Sequence, residues 1–538
     1  MKTILKSTLS LALAAGVGLT SCVDEVYPTS SVSQDQLESS EKAGEAMIFA
    51  MPGFMVNWNT TGAEWHGDFG YSSMMHIRDC MTGDMSILGI GLNYNQWSNY
   101  TQIVYLGQNY ASVQRLWNYY TQQVLACNKA LGTYHAGVED ENGKGARATA
   151  LAFRAMTYLD MARWYEFLPN NNTSAINADG NDVTHLTVPI VTENTTEEEA
   201  RNNPRATREE MFNFILSDLK YAEENIGNAH YGTILLPDLG CVYGLYSRLY
   251  MWVEDYAKAA EYAQKAISAS GCTPLDKETW TNINSGFNTL DNPSWMWGLK
   301  FEKENEAVQT GICNWTSMMS PEASYGYAAV GACPIVDAAM YARISDTDFR
   351  KLSWIVPSPS SPLLYDFPLL VEEDRAFYVY NFPYASIKFR PGMGNTSDFN
   401  VGSATAVPVM RVEEMWFNYI ESVAHTNPAQ GKQLLEQFMT TYRDPNYTCE
   451  VTDQDAVIEE IVFQKRVELW GEGHTLFDIK RLNYSVTRKY EGSNFYEESQ
   501  KNTVGRPAWM NMVMVQTEGN NNKAVAEWNN PDIPDNYE

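Results

Sequence analysis

The densest group of chemically capable side chains lies late in the chain. Glu472, His474 and Asp478 are spaced so that a helix beginning at His474 puts His474 and Asp478 on one face, with Glu472 close by. An imidazole beside carboxylates can hold a metal ion or move a proton. Arg466 and Glu468 stand just upstream. Two features turn the reading from catalysis to structure. The chain has 7 histidines, and no second one sits at ligand spacing from His474. Gly471 and Gly473 bend the chain between helical stretches, where charged groups satisfy one another and the freed backbone. Arg466, Glu468, Glu472, His474 and Asp478 therefore read as a structural knot. Glu197, Glu198 and Glu199 read as a solvated stretch before Pro204. No nucleophile motif, phosphate loop or metal cluster is recognisable. The expectation is a protein without catalysis, metal or cofactor.

Two other stretches suit a neutral, polar ligand. Met85 to Tyr110 mixes Gly89, Gly91, Tyr94, Asn95, Trp97, Asn99 and Tyr100; Trp280 to Tyr327 includes Trp295, Trp297, Trp315, Tyr325 and Tyr327. A sugar lays its C–H faces on aromatic rings while its hydroxyls pair with short polar side chains. Tyr94, Asn95, Trp97, Trp315 and Tyr325 are the candidate glycan contacts. Core packing is the competing role for any single ring, since aromatics make up 12% of the chain.

These residues must be delivered and held. Lys2 and Lys6, then the apolar run Leu9 to Leu19, read as a secretion signal, too short to span a bilayer. Leu19-Thr20-Ser21-Cys22 resembles a bacterial lipobox, which makes Cys22 the lipidated first residue of the mature chain. The polar run from Val23 to Ser40 reads as a tether. The formal net charge is -28, which excludes nucleic acid as a partner and leaves neutral ligands open. The remaining seven cysteines are an odd, scattered set and read as small buried hydrophobes.

Helical periodicity comes in two blocks. Val113, Leu116, Trp117, Tyr120, Val124, Cys127 and Leu131 form one stripe, and Leu151 to Ala162 another. Thr207 and Glu210 form a capping box before a helix stopped by Gly227. From Leu239 to Ser270, Tyr250, Ala259, Ala263 and Ala266 have the spacing of a tetratricopeptide-type hairpin, which must stack on others to bury its face. Periodicity fades from Cys272 to Met410, with a strand near Met296 to Phe301. Helices return at Arg411 to Ala424, Pro428 to Tyr442 and Asp455 to Leu482. The predicted fold is mainly α, a tetratricopeptide-like helical scaffold with an inserted loop-rich subdomain. Its divisions are a signal peptide (1–21), a lipidated tether (22–40), a helical region (41–270), a loop-rich ligand-binding subdomain (271–410) and a C-terminal return to the scaffold (411–538).

Taken together, these blocks resemble the SusD/RagB family of outer-membrane nutrient-binding lipoproteins. Lys465-Arg466-Val467-Glu468-Leu469-Trp470-Gly471-Glu472-Gly473-His474-Thr475-Leu476-Phe477-Asp478-Ile479-Lys480-Arg481 looks like the family's C-terminal signature, with Thr475 where Arg is common and Leu476 where Trp is common. Arg154 to Pro169, Val188-Pro189-Ile190-Val191 and the Arg411-x-x-Glu414 segment are similar to other family elements, in family order. The resemblance implies a lipid-anchored protein at the outer-membrane surface. It would bind glycan and deliver it to a SusC-like TonB-dependent transporter. Oligopeptide capture, as in the RagB branch, and a surface glycoside hydrolase are the alternatives.

Overall fold

The computed structural model describes residues 41–59, 65–89 and 106–532. Cys22, Tyr94, Asn95 and Trp97 lie outside these residues. Among the described residues no helix is long and apolar enough to cross a membrane.

Helices α1 (Glu41–Phe54), α2 (Tyr71–Cys80) and α3 (Ala111–Thr133) precede α4 (Glu141–Tyr165). Asp140 opens α4 by accepting from Gly143 N at 2.7 Å. From Gly145 to Ala162 every residue of α4 is buried, which marks a central helix rather than a surface one. Around it pack α3, α5 (Arg208–Asn225) and α6 (Leu239–Trp252). The Thr207–Glu210 capping box is closed in both directions, at 2.8 and 3.2 Å, and α5 gives way at Asn225 to a 3-10 turn through Gly227. Helix α7 (Tyr256–Ser270) starts on Asp255 and ends at Gly271 in the left-handed region, φ 66°. Ala259, Ala263 and Ala266 have no exposed surface, so α7 packs closely on α6, and Tyr246 stacks on Tyr262 with centroids 4.2 Å apart.

Between α7 and position 410 the helices shorten, α8 (Arg375–Asn381) among them, and two antiparallel ladders appear. Strand β1 (Met85–Ile87) pairs with β3 (Pro334–Val336), and β2 (Trp295–Lys300) with β4 (Ala406–Arg411). β4 runs directly into α9 (Val412–Thr426), followed by α10 (Pro428–Tyr442), capped by Asn427 with Pro428 in the first turn. Helix α9 packs on α6, α7, α10 and α11 (Gln454–Glu468), extending the stack of hairpins. The architecture is mainly α, a tetratricopeptide-like helical scaffold with few, short strands. The helix expected over Asp455 to Leu482 is two: α11 stops at Glu468, and α12 (Thr475–Leu482) starts beyond Gly471 and Gly473, both at positive φ. The described cysteines are free, and all but Cys272 are buried.

Candidate functional site

The turn between α11 and α12 admits only glycine. A Cβ on Gly471 would lie 2.4 Å from the Phe389 ring, and one on Gly473 2.6 Å from the Met75 backbone. The close approach packs a charge network around the turn. Glu468 accepts from Arg443 Nε at 2.7 Å, Arg350 Nη1 at 3.2 Å and Arg411 Nη1 at 3.3 Å, all fully enclosed. Burial alone would raise the Glu468 carboxyl; Arg443, then Arg411 and Arg350, hold it well below the usual carboxylate range. Glu472 takes Arg411 Nε at 2.9 Å and Lys388 Nζ at 2.7 Å. Asp478 pairs with Lys465 at 2.9 Å and Arg481 at 3.0 Å. Burial keeps His474 neutral, pushing its pKa well below the ordinary value, and its Nδ1 stands 3.7 Å from Glu414.

The same stretch grips the end of α2. Arg466 Nε donates to Asp84 Oδ2 at 2.9 Å and Trp470 Nε1 to Asp84 O at 3.0 Å. Arg488 donates to the carbonyls of Thr82 and Cys80 at 2.8 and 3.0 Å, and Trp509 Nε1 to that of Met81 at 3.0 Å. The cavity beside His474, bordered by Arg163, Glu166, Arg248, Lys480 and Arg481, holds about 40 Å³. That is room for water, not for a sugar ring. Among the described residues no group of three His, Cys, Asp or Glu is placed to hold a metal ion.

The aromatic residues divide. Trp280, Trp295, Trp297 and Trp315 are at most 5% exposed. Trp295 and Trp297 belong to β2, which is buried on both faces from Trp295 to Leu299. Trp297 donates to Leu235 O at 3.1 Å and meets Phe153 edge-on. Trp315 corrects the expectation of an open sugar platform. It begins a short helix buried throughout, and its ring packs edge-on against Phe389 with centroids 5.0 Å apart. Tyr325 is half-buried, its ring near Phe399, and burial pushes its phenol up to about 12. Tyr327, also half-buried, hydrogen-bonds His66.

β1 lies in the first aromatic stretch of the sequence, and β3 follows the second. The β1–β3 ladder continues through Leu88 N donating to Cys333 O at 2.8 Å. Gly89 then passes so close to Gly331 that a Cβ would lie 2.5 Å from its carbonyl oxygen. Gly89, the last described residue before position 106, thus lies beside the loop that carries Tyr325 and Tyr327. Four exposed rings among the described residues lie outside both stretches, Trp528 at 41% and three close in sequence: Tyr365 at 82%, Phe377 at 56% and Tyr380 at 85%. The signal of these three in the sequence is a run of aromatics following the Pro- and Ser-rich segment 357–362.

Comparison with known proteins accords with this architecture. A family described as starch-binding and associating with the outer membrane matches residues 63–251, and one described as the SusD family matches residues 379–533. No curated protein sequence matches. Among solved structures, a SusD-like carbohydrate binding protein from Bacteroides vulgatus aligns with TM-score 0.68 at 20% identity, over 90% of this chain and 96% of that one. A SusD superfamily protein from the same species aligns with TM-score 0.69 at 14% identity, over 92% and 99%. Surface glycan-binding protein A from Bacteroides uniformis aligns with TM-score 0.61 at 14% identity, over 90% and 98%. With family matches covering both the N-terminal helical half and the C-terminal signature, on a fold shared along nearly the whole chain, this protein belongs to the SusD/RagB family.

Proposed function

We propose that this protein is a carbohydrate-binding lipoprotein, anchored through Cys22 at the outer-membrane surface, that hands glycan to a SusC-like TonB-dependent transporter and catalyses nothing. The observation that carries the reading is the pair of half-buried rings Tyr325 and Tyr327 on the loop that leads to β3, where Gly89 passes against Gly331. Flat rings of this kind suit the C–H faces of a sugar. The family descriptions and the named activity of two structural relatives support the same ligand class. The non-catalytic part is supported by the signature's carboxylates. Glu468, Glu472 and Asp478 are each held by cations, and the adjoining cavity is too small for a sugar, whereas glycoside hydrolysis needs two carboxylates ~5–10 Å apart in an open cleft.

The test is binding to a panel of polysaccharides by affinity gel, then calorimetry on whichever retards the protein. Trp97→Ala should weaken that binding about ten- to a hundredfold with the melting temperature unchanged. Full binding by the variant removes Trp97 from the site. Sugar release from any glycan overturns the non-catalytic reading.

A further inference from the structure

The segment from Pro357 to Pro383 holds an open groove of about 750 Å³, the size of a ligand site rather than a packing defect. Tyr365 and Tyr380 line it and expose most of their surface, 82% and 85%. A single bare ring is ordinary, but two in one groove with Leu364, Ala376 and Val379 make an apolar surface of the kind that marks a binding site. The backbone beneath the two rings is also held in place. Tyr365 lies on a loop and Tyr380 on α8, and Arg375 ties the two together. Its Nη1 donates to Leu364 O at 2.9 Å and to Phe367 O at 2.8 Å, and its guanidinium stands over the Phe367 ring at 4.5 Å. Behind Tyr380, Tyr378 and Phe382 pack with centroids 5.7 Å apart. The backbone that carries both rings is therefore braced, which lowers the cost of ordering it around a ligand.

The charges of the groove select the ligand. Arg375 is its one cation among the described residues; its Nη1 donates to two backbone carbonyls and its Nη2 faces Glu372 at 3.4 Å. Glu372 and Glu373 stand at the rim and are exposed. A sulfate or uronate entering here would meet two carboxylates against one cation, which already faces Glu372. Hydroxyl groups would find acceptors in those carboxylates. Three lining prolines, Pro357, Pro359 and Pro383, have no N–H to pair with an extended peptide.

From this geometry we infer a carbohydrate site in the groove, taking a neutral, hydroxyl-rich oligosaccharide with sugar rings on Tyr365 and Tyr380 and hydroxyls donating to Glu372 and Glu373. None of its lining residues belongs to the loop of Tyr325 and Tyr327, so substitutions in the groove test it apart from that loop. The inference rests on the glycan-binding reading above.

Native electrophoresis of the whole mature protein tests it. The gels contain amylopectin, dextran, xyloglucan, galactomannan or arabinogalactan, with polygalacturonate and chondroitin sulfate as charged probes. At least one neutral polysaccharide should retard the protein. The double variant Tyr365→Ala, Tyr380→Ala should weaken that retardation about tenfold. Its melting temperature should not move, because the rings it removes are exposed. Tyr365→Phe with Tyr380→Phe should retain most of the binding, since the stacking faces persist. Equal retardation of protein and double variant overturns the groove and leaves the glycan reading intact. Retardation by the charged gels alone overturns the neutral ligand. No retardation in any gel counts against the groove and the glycan reading together. If the double variant melts early, Tyr380→Ala alone carries the comparison, and full binding by it overturns the role of Tyr380.

Discussion

Replacing Trp315 with alanine empties a space walled by Phe389 and the buried turn that Trp315 begins. The loss should be about 3–5 kcal/mol, measured as a lower urea midpoint. Trp97→Ala is expected to spare stability and spend its whole effect on binding, so the two tryptophans give opposite readouts. Two residues of α2 make stability depend on pH. Burial holds the His76 imidazole down at about 3, so the folded state refuses a proton that the unfolded chain accepts below ~6.5. Its contribution is present above that ordinary value and is lost as pH falls. Burial, against the Gly473 N–H and Arg78, pushes the Asp79 carboxyl up to about 8. The sign there is reversed: the folded state keeps a proton that the unfolded chain gives up, so this contribution is lost as pH rises. Asp79→Asn should therefore gain stability over the parent between pH 5 and 8, by up to about 1.4 kcal/mol per pH unit. His76→Gln should gain on the parent as pH falls from about 6.5 to 5. A pH-independent difference in either variant would contradict the assignment.

At the scale of elements, β4, α9, α10 and α11 are locked where Arg411, Arg443 and Glu468 meet. Glu468→Gln leaves Arg443, Arg411 and Arg350 with unbalanced charge in the interior, and should cost about 3–5 kcal/mol, read as an early thermal transition. Much of this element scale was legible in the sequence. The capping box at Thr207, the alanines of α7 and the glycines at 471 and 473 each act through local chemistry, and the structure places them as that chemistry requires. The aromatic stretches were not legible in the same way. Trp295, Trp297 and Trp315 occur among Gly, Ser and Asn, yet they are buried, because short strands and one-turn helices enclose a ring through contacts distant in sequence. Tyr365 and Tyr380 show the reverse. The loop and helix that carry them are joined by Arg375, through two carbonyls that no spacing of residue types announces.

For the whole molecule, the proposed anchor predicts that Cys22→Ala moves the protein out of the outer-membrane fraction and abolishes labelling by an acyl probe. A tagged parent, solubilised from that fraction, should bring down one large barrel. Recovery of the tagged protein alone, where a known pair survives, would count against the transporter as partner. The grip on residues 80–84 bears on how such a chain comes to be folded at all. Its bonds join positions 382 to 428 residues apart, from Arg466–Asp84 to Trp509–Met81. A contact of that span cannot form until both ends exist, and long-range closure is slow. The carbonyls of Cys80, Met81 and Thr82 therefore wait for Arg488 and Trp509, which arrive after the last residue of α12. The grip on residues 80–84 is thus among the last contacts a growing chain can make, although the N-terminal helices pack on one another without it. By the same token, a chain cut just beyond α12 would keep every helix named here and still lack the residues that close it, and proteases should clear it rather than leave a shortened product.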